Sequence, residues 1–354
     1  MRLYYLYITK HYLKNFLAVL IGITMAFVSV NYFQNSFLLN DGFNNQILYI
    51  YYISHEALAL LYPLALIFGA IMTKISLIKS NALGALYSFG YTKKDILLPF
   101  LVIALLTHLI FIYLHTTSFS YGNLNSKTIF KESNTQVIKE NLFFKYNSSF
   151  VYVKKLDPIE KTIYDIKIFK IKNYKLISTI SAKRAKFNGD LWVAKDVIIK
   201  TPIYMYSNLK YFTTQKSKTI NTLNGYKPKM IDQIYQNQNL NIIDAYDSYQ
   251  LLSTQKLDSY KMRSSIYTKT IFPLFAIFLI IIIFLKMPTY ARFINISITI
   301  SMALGSTFLM WGFLFALNQI GFGGTIAPEF TTILPIILLG IYALSVYIKV
   351  NKKI

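Results

Sequence analysis

The chain contains no cysteine and is short of acid: 15 Asp and Glu stand against 37 Lys and Arg in 354 residues. The first absence excludes disulfides and thiolate metal sites. No G-x-x-x-x-G-K-[ST] loop is present, so the chain has no standard cradle for ATP. No G-x-S-x-G elbow presents a serine nucleophile. His55-Glu56 is followed by Ala59 where a zinc protease needs its second histidine. Catalysis thus finds neither nucleophile, metal nor nucleotide motif. Any work the chain does draws its energy from a partner.

Acid is also missing from the apolar runs. Glu56, Asp95 and Glu329 fall at or beyond their ends. Ion-driven transporters carry a carboxylate at membrane depth, where the cost of burying it marks function. Its absence argues against an ion-coupled pump. His108 is the one titratable group assigned to the interior of a run. A lone membrane histidine is more often a hydrogen-bonded packing residue than a proton relay. His115 shares its face seven residues on, but two histidines without a carboxylate make a poor metal site.

What the chain has in excess is apolar and basic. It is 54% hydrophobic and 16% aromatic, with a formal charge of +22. Two readings of the charge stay open: an anionic partner such as lipid head groups, or a composition loaded with Lys, Asn, Ile, Tyr and Phe. Nucleic acid is disfavoured, because the lysines scatter through strand-like segments instead of clustering.

Apolar runs at Phe16–Leu38, Ala57–Ile78, Ile96–Thr116, Ile266–Leu285, Phe293–Leu317 and Thr331–Ile348 are each about the ~20 residues a bilayer-spanning helix needs. The first has no small-x-small cleavage site after it and reads as an uncleaved anchor. Within the fourth, Phe275–Leu285 is almost purely Leu, Ile and Phe, which favours insertion by several kcal/mol on a scale of about −0.3 to −0.6 kcal/mol per residue. Three spans precede residues 118–262 and three follow.

Basic residues in short loops set orientation. Arg2, Lys10 and Lys14 precede the first span. Lys74, Lys79, Lys93 and Lys94 flank the second loop, Lys286 and Arg292 the fourth, and Lys349, Lys352 and Lys353 close the chain. The opposite short loops, Leu39–Glu56 and Asn318–Phe330, contain no Lys or Arg. Both termini are therefore expected in the cytoplasm and the large inserted domain on the far side, the periplasm of a bacterium.

That domain reads as β. Strands are expected at Phe150–Val153, Thr162–Ile171, Tyr174–Thr179, Ala182–Phe187, Leu191–Lys200 and Ile203–Phe212. Turn signals fall at Asp157-Pro158, Lys172-Asn173, Asn188-Gly189-Asp190 and Thr201-Pro202. Ile163, Ile166, Ile168 and Phe169 alternate only in part, which predicts a bulge. Short strands at this spacing suit a sandwich, jelly roll or open barrel. Ile243–Tyr260 reads as a helix leading into the fourth span. The expected organisation is residues 1–117 with three transmembrane helices, 118–262 as the β domain with a helical linker, and 263–354 with three more.

The loop after the second span reads Lys79-Ser-Asn-Ala-Leu-Gly-Ala-Leu-Tyr-Ser-Phe-Gly-Tyr-Thr-Lys93. Two turns of helix are expected over Ala82–Phe89, ended by Gly90. Leu83, Leu86 and Tyr87 then form one apolar ridge. A groove on a partner and the lipid head groups are equally good homes for that ridge.

The ordered set of features resembles the LptF/LptG (YjgP/YjgQ) family of lipopolysaccharide-export permeases over nearly the whole chain. Asn81–Lys93 is similar to the family's coupling helix, whose Ser-Gly-[Phe/Val]-[Ser/Thr] end reads here Phe89-Gly90-Tyr91-Thr92. Asn147–Val153 resembles its early jelly-roll strand and Leu191-Trp192 its later x-W-x-L strand. Lys269 followed by Pro273 resembles the Lys-x-x-x-Pro that opens its fourth span. One feature departs: the family's glutamate near the start of the coupling helix is Ala82 here, or Asn81 with a one-residue slip.

The resemblance, leaning to the LptG branch, implies an α-helical inner-membrane protein of six spans with an inserted periplasmic jelly-roll-like domain. Its function would be that of one permease chain of an ABC transporter that extracts lipopolysaccharide and passes it to a periplasmic bridge. It implies as partners an LptB-type ATPase dimer, a second LptF/LptG-type chain and LptC and LptA-type bridge proteins. This chain itself binds no cofactor and no metal; ATP and Mg belong to the ATPase. Ala82, Leu83, Leu86, Tyr87, Gly90, Tyr91, Thr92 and Lys93 would couple to that ATPase. Phe27, Asn31, Gln34, Phe308, Trp311 and Phe315, with Val151, Val153 and Trp192 in the domain, would line the cargo path. Lys127, Lys131, Lys261, Arg263 and Lys269 would meet anionic head groups. For each cargo residue, ordinary packing or interfacial placement explains the same residue type. The competing functions are a non-transporting scaffold whose β domain recruits periplasmic proteins, and an ABC permease for another lipid. Lipoprotein-release permeases fit less well, because they usually place their large domain after the first span.

Overall fold

The computed structural model describes the chain apart from residues 1–2, 39–41, 133–138, 147–148, 158–159, 173–174, 206–207, 229–239, 255–256, 289–294 and 350–354. It forms two compact units: Met1–Ser126 with Asn239–Tyr246 and Ser259–Ile354, and Lys127–Gln238 with Asp247–Asp258.

Helices build the first unit. In chain order they are α1 (Leu3–Asn35), α2 (Phe43–Lys79), α3 (Ala82–Ser88), α4 (Lys93–Leu114), α5 (Gly122–Glu132), α6 (Ile242–Thr254), α7 (Tyr260–Thr270), α8 (Leu274–Lys286), α9 (Ile296–Gly323) and α10 (Leu334–Lys349), the last entered through a π turn at Glu329–Ile333. The helices α5 and α6 run into the second unit. Among the described residues five helices are long and apolar enough to cross a bilayer, and a sixth crossing is made if α7 and α8, bent by 41°, count together.

Two expectations change here. The fourth span is broken, not continuous: helix stops at Thr270, and Pro273, which has no N–H to continue the ladder, stands at the start of α8. The segment expected as a loop over Leu39–Glu56 is helical from Phe43 on, because no Gly or Pro interrupts it after Gly42. At 1.5 Å per residue a 37-residue helix is about 55 Å long, so α2 outruns a hydrocarbon core of about 30 Å.

The packing follows from small and apolar residues. The helix α8 is apolar almost all round and is the buried one, with Phe275, Ala276, Leu279, Ile280 and Phe284 in the core and α2, α4 and α10 around it. Where α1 crosses α2, a Cβ on Gly69 would stand 2.8 Å from Phe16 Cα and 2.9 Å from Phe16 N, so only glycine permits this approach. Tyr12 donates to the Leu66 carbonyl at 3.0 Å and Asn15 to Thr73 Oγ1 at 2.9 Å along the same crossing. By contrast α1 and α9 leave most of their apolar surface outside: Phe33 is 72% and Leu309 77% exposed.

The second unit is a six-stranded antiparallel sheet: β1 (Lys139–Tyr146), β2 (Ser149–Asp157), β3 (Thr162–Lys172), β4 (Lys175–Asn188), β5 (Leu191–Met205) and β6 (Asn208–Thr222). Spatial order equals chain order. Among the described residues these pairings make a meander. The first strand escaped the sequence reading, and β4 joins two segments expected to be separate. Pro202 sits inside β5, not in a turn. Its pairing partner is Phe212 on β6, while the register with β4 ends at Lys200, so its missing N–H deprives β4 of nothing. The Gly189-Asp190 turn forms as expected, with Gly189 at φ +78. The turns expected at Pro158 and Asn173 lie outside the described residues.

The irregularity expected in β3 is real and extends across the sheet. Besides a register shift at Lys170/Ile171, buried residues lie three apart, not two, at Val153/Leu156, Ile163/Ile166, Ala182/Ala185 and Ala194/Val197. Asn141, Asp165 and Asp196, on β1, β3 and β5, hold φ of 58, 53 and 53. Asn and Asp are the side chains that best tolerate this left-handed region. The pairs on either side set these residues in one transverse row: Asn141, Lys154, Asp165, Lys183, Asp196, Lys218. Because every strand takes the extra residue at the same level, the ladder keeps its register on both sides of this crease.

Candidate coupling helix and cargo surfaces

The motif Phe89-Gly90-Tyr91-Thr92 joins two helices with two caps. Gly90, at φ +82, ends α3. Its N–H donates to the Tyr87 carbonyl at 2.9 Å and the Tyr91 N–H to the Leu86 carbonyl at 3.2 Å, the paired bonds of a Schellman ending. No atom lies within 4 Å of a Cβ at Gly90, so conformation, not space, demands glycine. Thr92 then opens α4 with a capping box: Asp95 N–H donates to Thr92 Oγ1 at 3.2 Å, and Thr92 N–H to Asp95 Oδ2 at 2.8 Å. Tyr91 lies against Tyr4, ring centroids 4.1 Å apart, and Lys93 is the first residue of α4. This short helix is therefore held at a fixed angle between α2 and α4.

Its apolar ridge faces the other way from the expectation. Leu83 is completely buried, and Ala82, Leu86 and Tyr87 pack beside it against the core of the helical unit. A ridge at i, i+3 and i+4 states that one face is apolar, not which neighbour covers it. The surface left outward is Asn81, Ala85, Ser88 and Phe89, the last 79% exposed.

The expected wall residues lie on the exposed helices. On α9, Phe308 and Phe315 are 50% and 38% exposed, and Trp311 between them stacks on Phe315 at 5.6 Å. The Trp311 Nε1 has no hydrogen-bond partner among the described residues. Phe27 is half-buried on α1 and Gln34 is exposed. Asn31 donates to the Phe27 carbonyl at 3.1 Å, while Asn35 reaches Tyr49 Oη on α2 at 3.2 Å.

The cations divide. Lys127 is exposed and Lys261 half-buried, and the Lys131 side chain lies outside the described residues. Arg263 is already matched: its Nη1 donates to Glu329 Oε1 at 2.6 Å, which also accepts from Tyr267 Oη at 2.9 Å. Lys269 is buried and donates to the Leu240 carbonyl and to Ser265 Oγ. It faces the protein, not a head group. With it, the Ile242 N–H donates to the His115 carbonyl at 3.0 Å and Tyr121 Oη to Asp244, so the returning segment 240–246 is pinned to the helices.

In the sheet, Val151, Val153 and Trp192 are completely buried. Trp192 Nε1 donates to the Tyr226 carbonyl at 2.7 Å and its ring packs on Phe187 at 5.3 Å. These three side chains belong to the unit's own core.

The model of the family described as lipopolysaccharide export system permease LptF/LptG matches residues 6–349. This chain belongs to that family. The match spans both units and takes LptF and LptG together. No curated protein matches the chain. The protein is thus a multi-pass membrane permease of lipopolysaccharide export, and not an enzyme in its own right.

Sequence reasoning missed a buried cation in this permease. Lys74 was assigned to a loop flank, yet it lies within α2, buried, and donates to the carbonyls of Phe284 and Met287, the latter at 2.7 Å. Those carbonyls end α8, where a cation is favoured. Only its place inside an otherwise uncharged, mostly apolar stretch, Ile71–Ile78, could have revealed it. His108 is the packing residue the sequence favoured. Its Nε2 meets the Thr270 carbonyl at 3.0 Å and its Nδ1 the Tyr62 hydroxyl at 3.0 Å. A carbonyl only accepts, so Nε2 carries the proton and Tyr62 donates to Nδ1. His115, just beyond α4, bonds Ser120 Oγ at 3.0 Å. Burial, aided by the Lys269 ammonium, lowers its pKa to about 3, which keeps it neutral. Among the described residues no cluster of His, Asp and Glu could hold a metal ion.

Proposed function

We propose that this chain is one half of an ABC permease that draws lipopolysaccharide from the bacterial inner membrane and delivers it to a periplasmic bridge of LptC and LptA type. The observation that carries this reading is the full-length family match combined with α3, a rigidly capped helix between two spans. In this arrangement α3 and both termini lie in the cytoplasm and the sheet unit in the periplasm, as the loop lysines favour. An LptB-type ATPase dimer, which holds ATP and Mg, docks against Ala85, Ser88 and Phe89, not against the inward Leu83 ridge. Without the family's glutamate, this contact is apolar. A second LptF/LptG-type chain covers the exposed faces of α1 and α9, where Phe27, Phe308, Trp311 and Phe315 then wall a cavity for acyl chains.

Affinity purification from native membranes tests this assembly. It should recover an ATPase subunit and a second six-span chain, and Phe89→Asp should strip away the ATPase while the second chain remains. Recovery of periplasmic proteins with no ATPase would instead favour a scaffold.

A further inference from the structure

A groove of about 920 Å³ lies on the sheet face that carries Tyr152, the face opposite the buried Val151 and Val153. Its volume is within the range of sites that take ligands of drug size. Two cross-strand rows line it. One runs Tyr152, Lys167, Ser181, Ile198, Lys216, each the register partner of the next. The other is the crease row Lys154, Asp165, Lys183, Asp196, Lys218. Five lysines against two aspartates leave the groove at net +3.

The order of charges matters as much as their sum. Strands stand about 4.8 Å apart, so Lys154, Lys183 and Lys218, on alternate strands, recur about every 10 Å with a carboxylate between. Lys154 and Asp165 approach to 3.6 Å, but both are at least half exposed, so this ion pair is weak and leaves both groups available to a ligand. One compact phosphate would need its cations within a single hydrogen-bonding radius. Cations this far apart suit separate phosphates on successive rings, and the intervening carboxylates suit hydroxyl donors. Tyr152, held by its bond to Asn141 Oδ1 at 2.6 Å, adds a ring for a sugar face to lie on.

We propose that this groove binds the phosphorylated sugars of the exported glycolipid, laid across β2 to β6 with phosphates on the lysines and hydroxyls on Asp165 and Asp196. The assignment rests on lipopolysaccharide being the cargo. The test uses the full chain in nanodiscs and three probes: the phosphorylated oligosaccharide freed from lipopolysaccharide by deacylation, its dephosphorylated form, and inorganic pyrophosphate. Calorimetry should show the phosphorylated oligosaccharide binding about tenfold or more tightly than either other probe, as expected for charge-assisted contacts added to hydroxyl ones. K154Q/K183Q/K218Q should lose that binding, and K154R/K183R/K218R should keep it. Equal binding by the Gln variant overturns the assignment, as does pyrophosphate binding as well as the oligosaccharide. Intact lipopolysaccharide separates the two levels. If wild type and Gln variant both bind it equally, the groove is wrong and the cargo stands; if wild type binds neither it nor the oligosaccharide, the cargo reading fails first.

Discussion

At the scale of single residues, the tightest constraint is Gly69. A methyl there would press on the Phe16 backbone, which cannot turn aside as a side chain can. Gly69→Ala should cost about 1–3 kcal/mol of stability, the usual range for an overpacked site. Gly22→Ala is the matched control: no atom lies within 4 Å of its Cβ, so the helix should gain up to about 1 kcal/mol. Thermal unfolding of the two variants in detergent reads the difference directly. Leu83 and Phe89 make a second pair, one at 0% and the other at 79% exposure. Leu83→Ala should lose about 2–5 kcal/mol through the cavity it leaves. Phe89→Asp should change stability by less than about 0.5 kcal/mol yet abolish ATP-driven transport. Placing charges at Leu83 and Leu86 is a poor test of coupling, because Leu83 is part of the core and the fold would suffer first. Both leucines were visible in the sequence as an apolar ridge. Their direction was not, because spacing fixes a face and only tertiary packing fixes its neighbour.

At the scale of elements, the glycine ending of α3 was legible to the residue, because Gly90 acts through local backbone geometry that sequence states directly; the Thr92–Asp95 box that opens α4 escaped the sequence reading. The crease was legible only as a fault in the alternation of β3. Its continuation on β1 and β5 depends on register, and register is a property of pairs of strands. The crease also makes a prediction. Asp165 sits at φ 53, where a β-branched residue is strained, so Asp165→Val should cost about 1–2 kcal/mol while Asp165→Gly stays near neutral. Denaturant unfolding followed by the fluorescence of Trp192, in the core of the same unit, would report it. The broken fourth span and the long α2 were misread for a related reason: hydropathy marks apolar composition, whereas helix continues through Tyr-rich polar turns and stops for Pro273.

At the scale of the molecule, the apolar runs and the polar insertion among them were sufficient to read a multi-pass membrane protein, and only the ordered motifs that resemble the family pointed to a permease. The cargo-facing residues were the least legible. Lys269, Arg263, Val151, Val153 and Trp192 were chosen by residue type, and the chain uses every one of them for its own packing or pairing. Among the described residues the surfaces open to the outside include the apolar faces of α1 and α9, the tip of α3 at Phe89, and the charged groove of the sheet. Under the proposed function these surfaces take a second permease chain, an ATPase and an anionic cargo. The most direct measurement is reconstitution in liposomes of this chain with a second family member and an ATPase, following lipopolysaccharide captured by an added periplasmic acceptor. Capture should require ATP and all three proteins, and should stop with Phe89→Asp. Capture by this chain alone on an ion gradient, or full capture by the Phe89→Asp complex, would contradict the account.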